Sequence, residues 1–336
     1  MLVAGSGMAP AALINSDPLV RKEKKGEPAP ERAAAKPAAI QGKRKRRRAD
    51  QRAHLGVALG IALLFATVMY YCIYTYGFEN AKGLKFHRDV AWMGFFVSDL
   101  MVFAAPLLYV VAVMLFGRFS TSLAKPLWLK ARVQPVYNVV QIVVCSYLVW
   151  GLWPQVDVLG GNPFGVNVKR NARIEWFVFV HYLTKFLDWC DTFFMILNKS
   201  YRQVSYLQVF HHATIGMIWG VLLSRGWGSG TVAYGAFINS VTHVLMYSHY
   251  FWTSLGFKNP LKRFLTLFQL SQFASCVLHA LVVLVHETVV PRSLAWLQVT
   301  YHPIMLYLFM YKLNWAPLWL SGVKVVDTPK PKAKKQ

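Results

Sequence analysis

Acidic residues are scarce in this chain: 14 Asp and Glu stand against 37 Lys and Arg, and charged residues of all kinds make up only 15% of the 336 positions. So little charge, combined with 55% hydrophobic content and a mean hydropathy of +0.35, excludes a soluble globular domain and indicates a membrane protein. Cysteine is scarce as well. The four present (Cys72, Cys145, Cys190 and Cys276) show no CxxC or paired spacing, which excludes a disulfide framework and a zinc knuckle. Each falls in an apolar run, where it reads as a packing residue.

What the chain has in abundance is apolar runs and, outside them, positive charge. The net charge of +23 is lopsided, with Lys and Arg crowded at 21–52 and again at 324–335. Beside membrane spans such clusters set orientation or meet anionic headgroups, and a nucleic-acid partner is not expected. Residues 1–54, rich in Ala, Pro, Lys and Arg and ending in Lys43-Arg-Lys-Arg-Arg-Arg48, cannot bury enough apolar surface to order themselves, so a disordered basic tail is expected. The first apolar run, 55–76, is too long for a signal-peptide core and is followed by no A-x-A-like site, so it reads as an uncleaved anchor. Seven more candidate spans follow at 90–116, 136–153, 174–197, 206–223, 231–255, 265–285 and 294–311. The expected fold is all-α: a polytopic membrane helix bundle or barrel of about eight transmembrane helices over 55–311, closed by a basic tail at 312–336.

Basic residues accumulate on the cytoplasmic side of membrane proteins. With the N-terminus cytoplasmic, 28 of the 37 Lys and Arg fall on that side and eight on the other, Lys185 lying inside a span. Both termini are therefore expected to be cytoplasmic, which requires an even span number. Lys332 and Lys334, fifth and third from the end, resemble a dilysine retrieval signal of endoplasmic-reticulum membrane proteins. The irregular stretch 154–173, with Gly160-Gly-Asn-Pro-Phe-Gly165, is then a lumenal loop.

Several spans carry polar residues that lipid would not tolerate, and these mark a functional site by default. At 100° per residue Lys185, Asp188 and Asp191 share an arc of about 120°, with His181 and Thr192 beside them. Lys185 and Asp188 can pair locally, which by itself is also what a helix-packing ion pair would do. Gln208, His211 and His212 share a face of the next span. Asn239, His243, Met246 and Tyr250 form a stripe in the following one, flanked by Tyr247 and His249, and Thr266, Gln269 and Gln272 repeat the pattern in the seventh. Any one set alone would serve as helix–helix glue. Counted from the span ends, however, four spans put these groups in the cytoplasmic half, which suggests a pocket open to the cytoplasm with a polar mouth and an apolar depth.

These residues resemble the fatty-acid elongase (ELO) family of condensing enzymes over about residues 90–312. The elements, in family order, are Lys125-Pro-Leu-Trp-Leu-Lys130 followed by Tyr137-Asn138, Lys185-x-x-Asp188-x-x-Asp191-Thr192, Gln208-x-x-His211-His212, Asn239-x-x-x-His243-x-x-Met246-Tyr247, and Thr266-x-x-Gln269-x-x-Gln272. The resemblance implies decarboxylative condensation of malonyl-CoA with a long-chain acyl-CoA to a 3-ketoacyl-CoA, with no bound cofactor and no metal. It implies His211 as nucleophile, because an imidazole is a competent acyl acceptor. His212 and His243 would orient it or move protons, and Lys185, Asp188 and Asp191 would shape the electrostatics. Gln208, Asn239, Tyr247, Tyr250, Gln269 and Gln272 are implied in substrate binding, the two glutamines toward the CoA moiety. The bilayer, the reductases and dehydratase of the elongation cycle, and a second copy of the chain are the implied partners.

Two departures from the family pattern bear on specificity. Gln208 replaces the usual first histidine of the box, a variant that resembles elongases acting on polyunsaturated chains, and His249 stands where the family usually has Tyr. The run 55–76 looks like a span added to the usual seven. Two other readings compete with this one. A di-iron membrane desaturase needs several histidine boxes, whereas this sequence has one adjacent pair and no His-x-x-x-His. A transporter could use buried Lys, Asp and His as a pathway, but inverted repeats or helices broken near mid-membrane are not evident.

Overall fold

In lipid every backbone N–H and C=O must be satisfied within the chain, and a sequence of long apolar runs answers this with helices. The computed structural model describes residues 90–124, 126, 133–157, 159–201, 203–258 and 262–311, with 56–57, 59–68 and 70. All of them belong to the unit Asp50–Gln336. The tails expected at 1–54 and 312–336 lie outside the described residues, as does most of the Lys125–Lys130 motif.

Seven long helices account for most of what is described: α1 Asp99–Ser122, α2 Gln134–Leu152, α3 Ala172–Leu197, α4 Tyr206–Ser224, α5 Ala233–Ser254, α6 Lys262–His286 and α7 Ser293–Tyr311. Among the described residues no strand occurs, only an isolated bridge between Asp157 and Asn162. The span expected at 90–116 is divided. A short helix Ala91–Phe96 stops, and Ser98 starts α1 by accepting a hydrogen bond from the Met101 N–H at 3.3 Å. Asn171 caps α3 by accepting from the Arg173 N–H at 2.8 Å, and Ser205 caps α4 by accepting from the Gln208 N–H at 3.2 Å. Of the run 55–76, Leu59–Val68 is helical, and its Phe65 is buried with ring centroids 5.7 Å from Phe210 and 5.8 Å from Tyr301.

Four segments are long and apolar enough to cross a membrane by themselves: Asp99–Ser122, Gln134–Gln155, Tyr206–Ser224 and Phe264–His286. α3 and α5 are diluted by the polar residues noted above, which they turn inward. The chain is a multi-pass helix bundle. Its outward faces are apolar, with Leu100, Leu107 and Leu115 on α1, Val136, Val143 and Trp150 on α2, and Leu267, Leu278 and Val285 on α6 all exposed. Such a surface suits lipid rather than water.

Helix neighbours form a closed sequence. α2 packs on α3, α3 on α4, α4 on α7, α7 on α6, α6 on α5, and α5 returns to α2, while α1 lies outside against α3 and α4. Close approach needs small residues at the contacts. A Cβ on Gly151 would stand 2.1 Å from the Phe177 ring, and one on Gly220 would stand 2.7 Å from Val102. α3 also touches α5 across the ring, and their polar stripes meet there.

One end of the ring is capped by loops. Glu287 carboxylate oxygens accept from the N–H groups of Asn167 (2.9 Å), Val289 (2.7 Å) and Val290 (3.0 Å). Thr231 donates to the Phe164 carbonyl at 2.9 Å. The stretch 154–173 is irregular, as its glycines suggest, with Gly161 and Gly165 at positive φ. The opposite end holds the N-terminus of α4 and the C-termini of α3 and α5.

Candidate active site

The site begins as a charge that has to be matched. Asp188 is 3% exposed and Lys185 2%, one helical turn apart on α3, and the Lys185 Nζ lies 3.0 Å from Asp188 Oδ2. An ion pair at such depth holds only if its remaining hydrogen-bonding capacity is filled. Lys185 donates to Asn239 Oδ1 on α5 at 3.0 Å. Asp188 Oδ1 accepts from Gln141 Nε2 on α2 at 3.0 Å. The Tyr247 hydroxyl stands 3.1 Å from that oxygen and 2.7 Å from Asp191 Oδ2, so it donates to one carboxylate at a time. Gln141 also reaches the hydroxyls of Tyr137 and Tyr247 at 2.8 and 3.2 Å. His243 Nδ1 is 3.7 Å from Asp188 Oδ1, in electrostatic range but beyond hydrogen-bond distance. Three helices are thereby tied together through one carboxylate.

The histidine pair of α4 occupies the adjoining wall. His212 Nε2 is 3.2 Å from Gln208 Nε2, and its Nδ1 is 3.5 Å from Thr192 Oγ1, which in turn meets the Tyr109 hydroxyl at 2.8 Å. His211 points elsewhere. Its Nδ1 lies 3.0 Å from the Tyr301 hydroxyl of α7. Adjacent positions on a helix diverge by about 100°, which is why neighbours in sequence have unrelated partners here.

Two cavities meet at His211. The first, about 260 Å³, is lined by Asp191, Gln208, His211, His212, Asn239, His243, Tyr247, Tyr250, Gln269 and Gln272, among others. It extends toward the uncapped end. The second, about 90 Å³, is mostly apolar and runs between α4, α6 and α7 past Ile218, Cys276 and Leu297 to Val283, Val290 and Leu294 at the capped end. His211, Asn239, Gln272 and Phe273 border both. From Gln272 to Val283 the tail chamber follows α6 for about 16 Å at 1.5 Å per residue. A polar mouth adjoining a narrow apolar depth fits a substrate with a charged head and a hydrocarbon tail.

Ten of the twelve residues singled out from sequence line the polar chamber. Lys185 and Asp188 do not: they stand behind its wall and reach it through Asn239, Tyr247 and His243. Gln269 donates to the Met246 sulfur at 2.9 Å, and His249 lines neither chamber. Sequence reasoning missed Gln141, Tyr301 and Tyr109 as partners of the site. Gln141 follows Tyr137 by one helical turn in a helix whose other buried polar residue is Asn138, a polar i, i+4 pair that could have been noticed. Tyr109 and Tyr301 carry no such signal, because a Tyr in an apolar run is ordinary. Among the described residues no cluster of three His, Cys, Asp or Glu suited to a metal ion is found.

The length of the tail chamber makes a prediction. Cys276→Phe should fill it partway, so that the longest hydrocarbon tail accommodated becomes shorter while shorter tails still fit; binding of a chain-length series checks this.

Comparison with known proteins shows the family. The profile described as ELO: GNS1/SUR4 family matches residues 95–313, more than half of the chain and the whole of all seven long helices. Fatty acid elongase 5 of Leishmania major is 40% identical over 235 residues, 68% of this chain and 89% of that protein. Fatty acid elongase 5 of Trypanosoma cruzi is 40% identical over 218 residues, 65% of this chain and 84% of that protein. Very long chain fatty acid elongase 5 of Homo sapiens is 28% identical over 241 residues, 68% of this chain and 78% of that protein. The chain belongs to the ELO family of fatty-acid elongases, multi-pass membrane enzymes that act on acyl-CoA and malonyl-CoA.

Proposed function

We propose that this elongase extends long-chain, polyunsaturated acyl-CoA through an acyl-imidazole on His211. The observation that carries the reading is the position of His211 on the border of both chambers. An acyl chain lying in the apolar chamber would bring its thioester carbonyl to this ring and leave CoA in the polar one. His211 Nε2 attacks the carbonyl, the C–N bond forms as the C–S bond breaks, and CoA leaves as a thiolate that takes up a proton. Malonyl-CoA then loses CO2, and the carbanion equivalent at its C2 attacks the acyl carbon and expels the imidazole. The product is a 3-ketoacyl-CoA two carbons longer. The substrates and one imidazole balance the reaction, so the scheme contains no bound cofactor.

In this reading His212 and His243 stabilise the enolate or move protons, and Gln269 and Gln272 meet the head of the substrate. Separating acyl transfer from condensation lets one pocket handle two CoA esters in turn. A 3-ketoacyl-CoA is an intermediate of chain extension, so the reductases and dehydratase that process it are the expected functional partners. The endoplasmic reticulum, with both termini and the polar chamber facing the cytosol, is supported by the distribution of Lys and Arg and by Lys332 and Lys334. The preference for polyunsaturated chains rests on Gln208.

The test is incorporation of labelled malonyl-CoA by microsomes containing the protein, supplied in parallel with saturated, monounsaturated and polyunsaturated acyl-CoAs. Product two carbons longer, greatest from the polyunsaturated chain, is expected. Folded protein that yields no product with any chain would sink the reading, and equal extension of saturated chains would remove its polyunsaturated part.

A further inference from the structure

We infer that Tyr301, held by Thr214, is a positioning residue that sets the tautomer of His211 and presents its Nε2 to the acyl thioester; this rests on His211 being the nucleophile. The argument is a count of protons. Thr214 has one hydroxyl hydrogen, and it is donated to the Phe210 carbonyl, 2.7 Å away on the same helix. Thr214 Oγ1 also lies 3.1 Å from the Tyr301 hydroxyl. With its own hydrogen committed, Thr214 accepts there, and Tyr301 donates. Tyr301 then has only lone pairs left for its third neighbour, His211 Nδ1 at 3.0 Å. That nitrogen must carry the hydrogen. The consequence is an Nδ1–H imidazole with its lone pair on Nε2, the form required for attack from that atom.

Burial makes the arrangement stiff. Tyr301 is 1% exposed, and its ring is enclosed by Phe65, Phe210 and His211. Phe65 belongs to the helix Leu59–Val68, so the N-terminal run packs a side chain against Tyr301. Two discrete orientations of the His211 ring are thereby reduced to one.

The bond also changes during the reaction. When Nε2 bonds to the acyl carbon and the C–S bond breaks, positive charge spreads over the ring and the Nδ1–H becomes a stronger donor. The Tyr301 oxygen, fixed in place, is therefore held more tightly by the acylated ring than by the free one. Interactions that strengthen in this way raise turnover rather than substrate affinity. His212 has a longer relay, from its Nδ1 to Thr192 at 3.5 Å and on to Tyr109, but its Nε2 already faces Gln208.

The experiment measures CoA release from acyl-CoA by the purified full chain in detergent without malonyl-CoA, alongside the steady-state reaction. The variants are Tyr301→Phe, Thr214→Val, Thr214→Ser and the Tyr301→Phe/Thr214→Val double. The expected result is a stoichiometric burst in the parent, slowed about tenfold to a hundredfold in Tyr301→Phe, with an unchanged KM for acyl-CoA and a melting temperature lowered only slightly. Thr214→Val should be slowed less and Thr214→Ser should behave as the parent. The double variant should be no slower than Tyr301→Phe, since both remove one relay. A parent burst that persists at full rate in Tyr301→Phe overturns the positioning role alone. A parent with no burst, or a burst retained in His211→Ala, overturns the nucleophile assignment beneath it.

Discussion

Replacing His211 by alanine should lower kcat/KM for condensation by about 10³-fold or more, the scale seen when a nucleophile is removed. The fold should survive. Among the described residues this side chain hydrogen-bonds to Tyr301, and His211 is half-buried beside two cavities rather than packed within a core. Loss of one such bond costs about 0.5–1.5 kcal/mol. A purified His211→Ala protein with a near-parental thermal midpoint and no labelled product is therefore the expected outcome. His212→Ala should differ in kind. It takes away the ring between Gln208 and Thr192, which organises the wall on which Tyr109 also rests. Its CoA burst should remain measurable while later steps slow. Equal and complete loss of the burst in both variants would contradict the separate roles assigned to the two rings.

Lys185→Met should be the most destabilising single change in the site. Asp188 would keep the neutral donors Gln141 and Tyr247 but lose the one ammonium within 3.0 Å. Breaking a buried pair by removing one partner costs about 3–5 kcal/mol, because it leaves an uncompensated charge. Asn239 would also lose its donor, and with it one of the links from α3 to α5. The companion variant Lys185→Met/Asp188→Asn separates stability from chemistry. Removing both charges should restore most of the thermal midpoint, since well-packed neutral groups can replace a buried pair at little cost. Activity should stay low, because Asn239, Tyr247 and His243 would no longer be held against a charged partner. Full recovery of activity in the double variant would reduce the pair to a packing device, and an unshifted midpoint in the single variant would mean that water reaches Asp188.

Much of this site was legible because membrane physics makes polar residues conspicuous. Lys185, Asp188, His211, His243 and Gln272 stand out in apolar runs whatever the fold, since lipid would reject them unless they faced protein or a cavity. Helical periodicity then put the members of each set on one face, and the structure turns those faces toward one another. The break at Ser98 was less visible, since an apolar stretch on both sides hides a cap that only the backbone reveals.

The sequence by itself determined that this is a multi-pass helical membrane protein, which polar groups it must enclose, and the motif order by which it resembles the elongases. The first two follow from short-range rules, hydropathy, span length and 100° per residue, whereas the resemblance rests on the motifs residue by residue. Tertiary structure decided the rest. Only packing puts Asn239 beside Lys185, Gln141 against Asp188 and Tyr301 on His211, at separations of 54, 47 and 90 residues along the chain. Only packing places Lys185 and Asp188 behind the wall and His211 where the two chambers join. Helical spacing tells which residues share a face, but it carries no information about which neighbouring helix that face will meet, and the partners of a buried polar group are set by that choice.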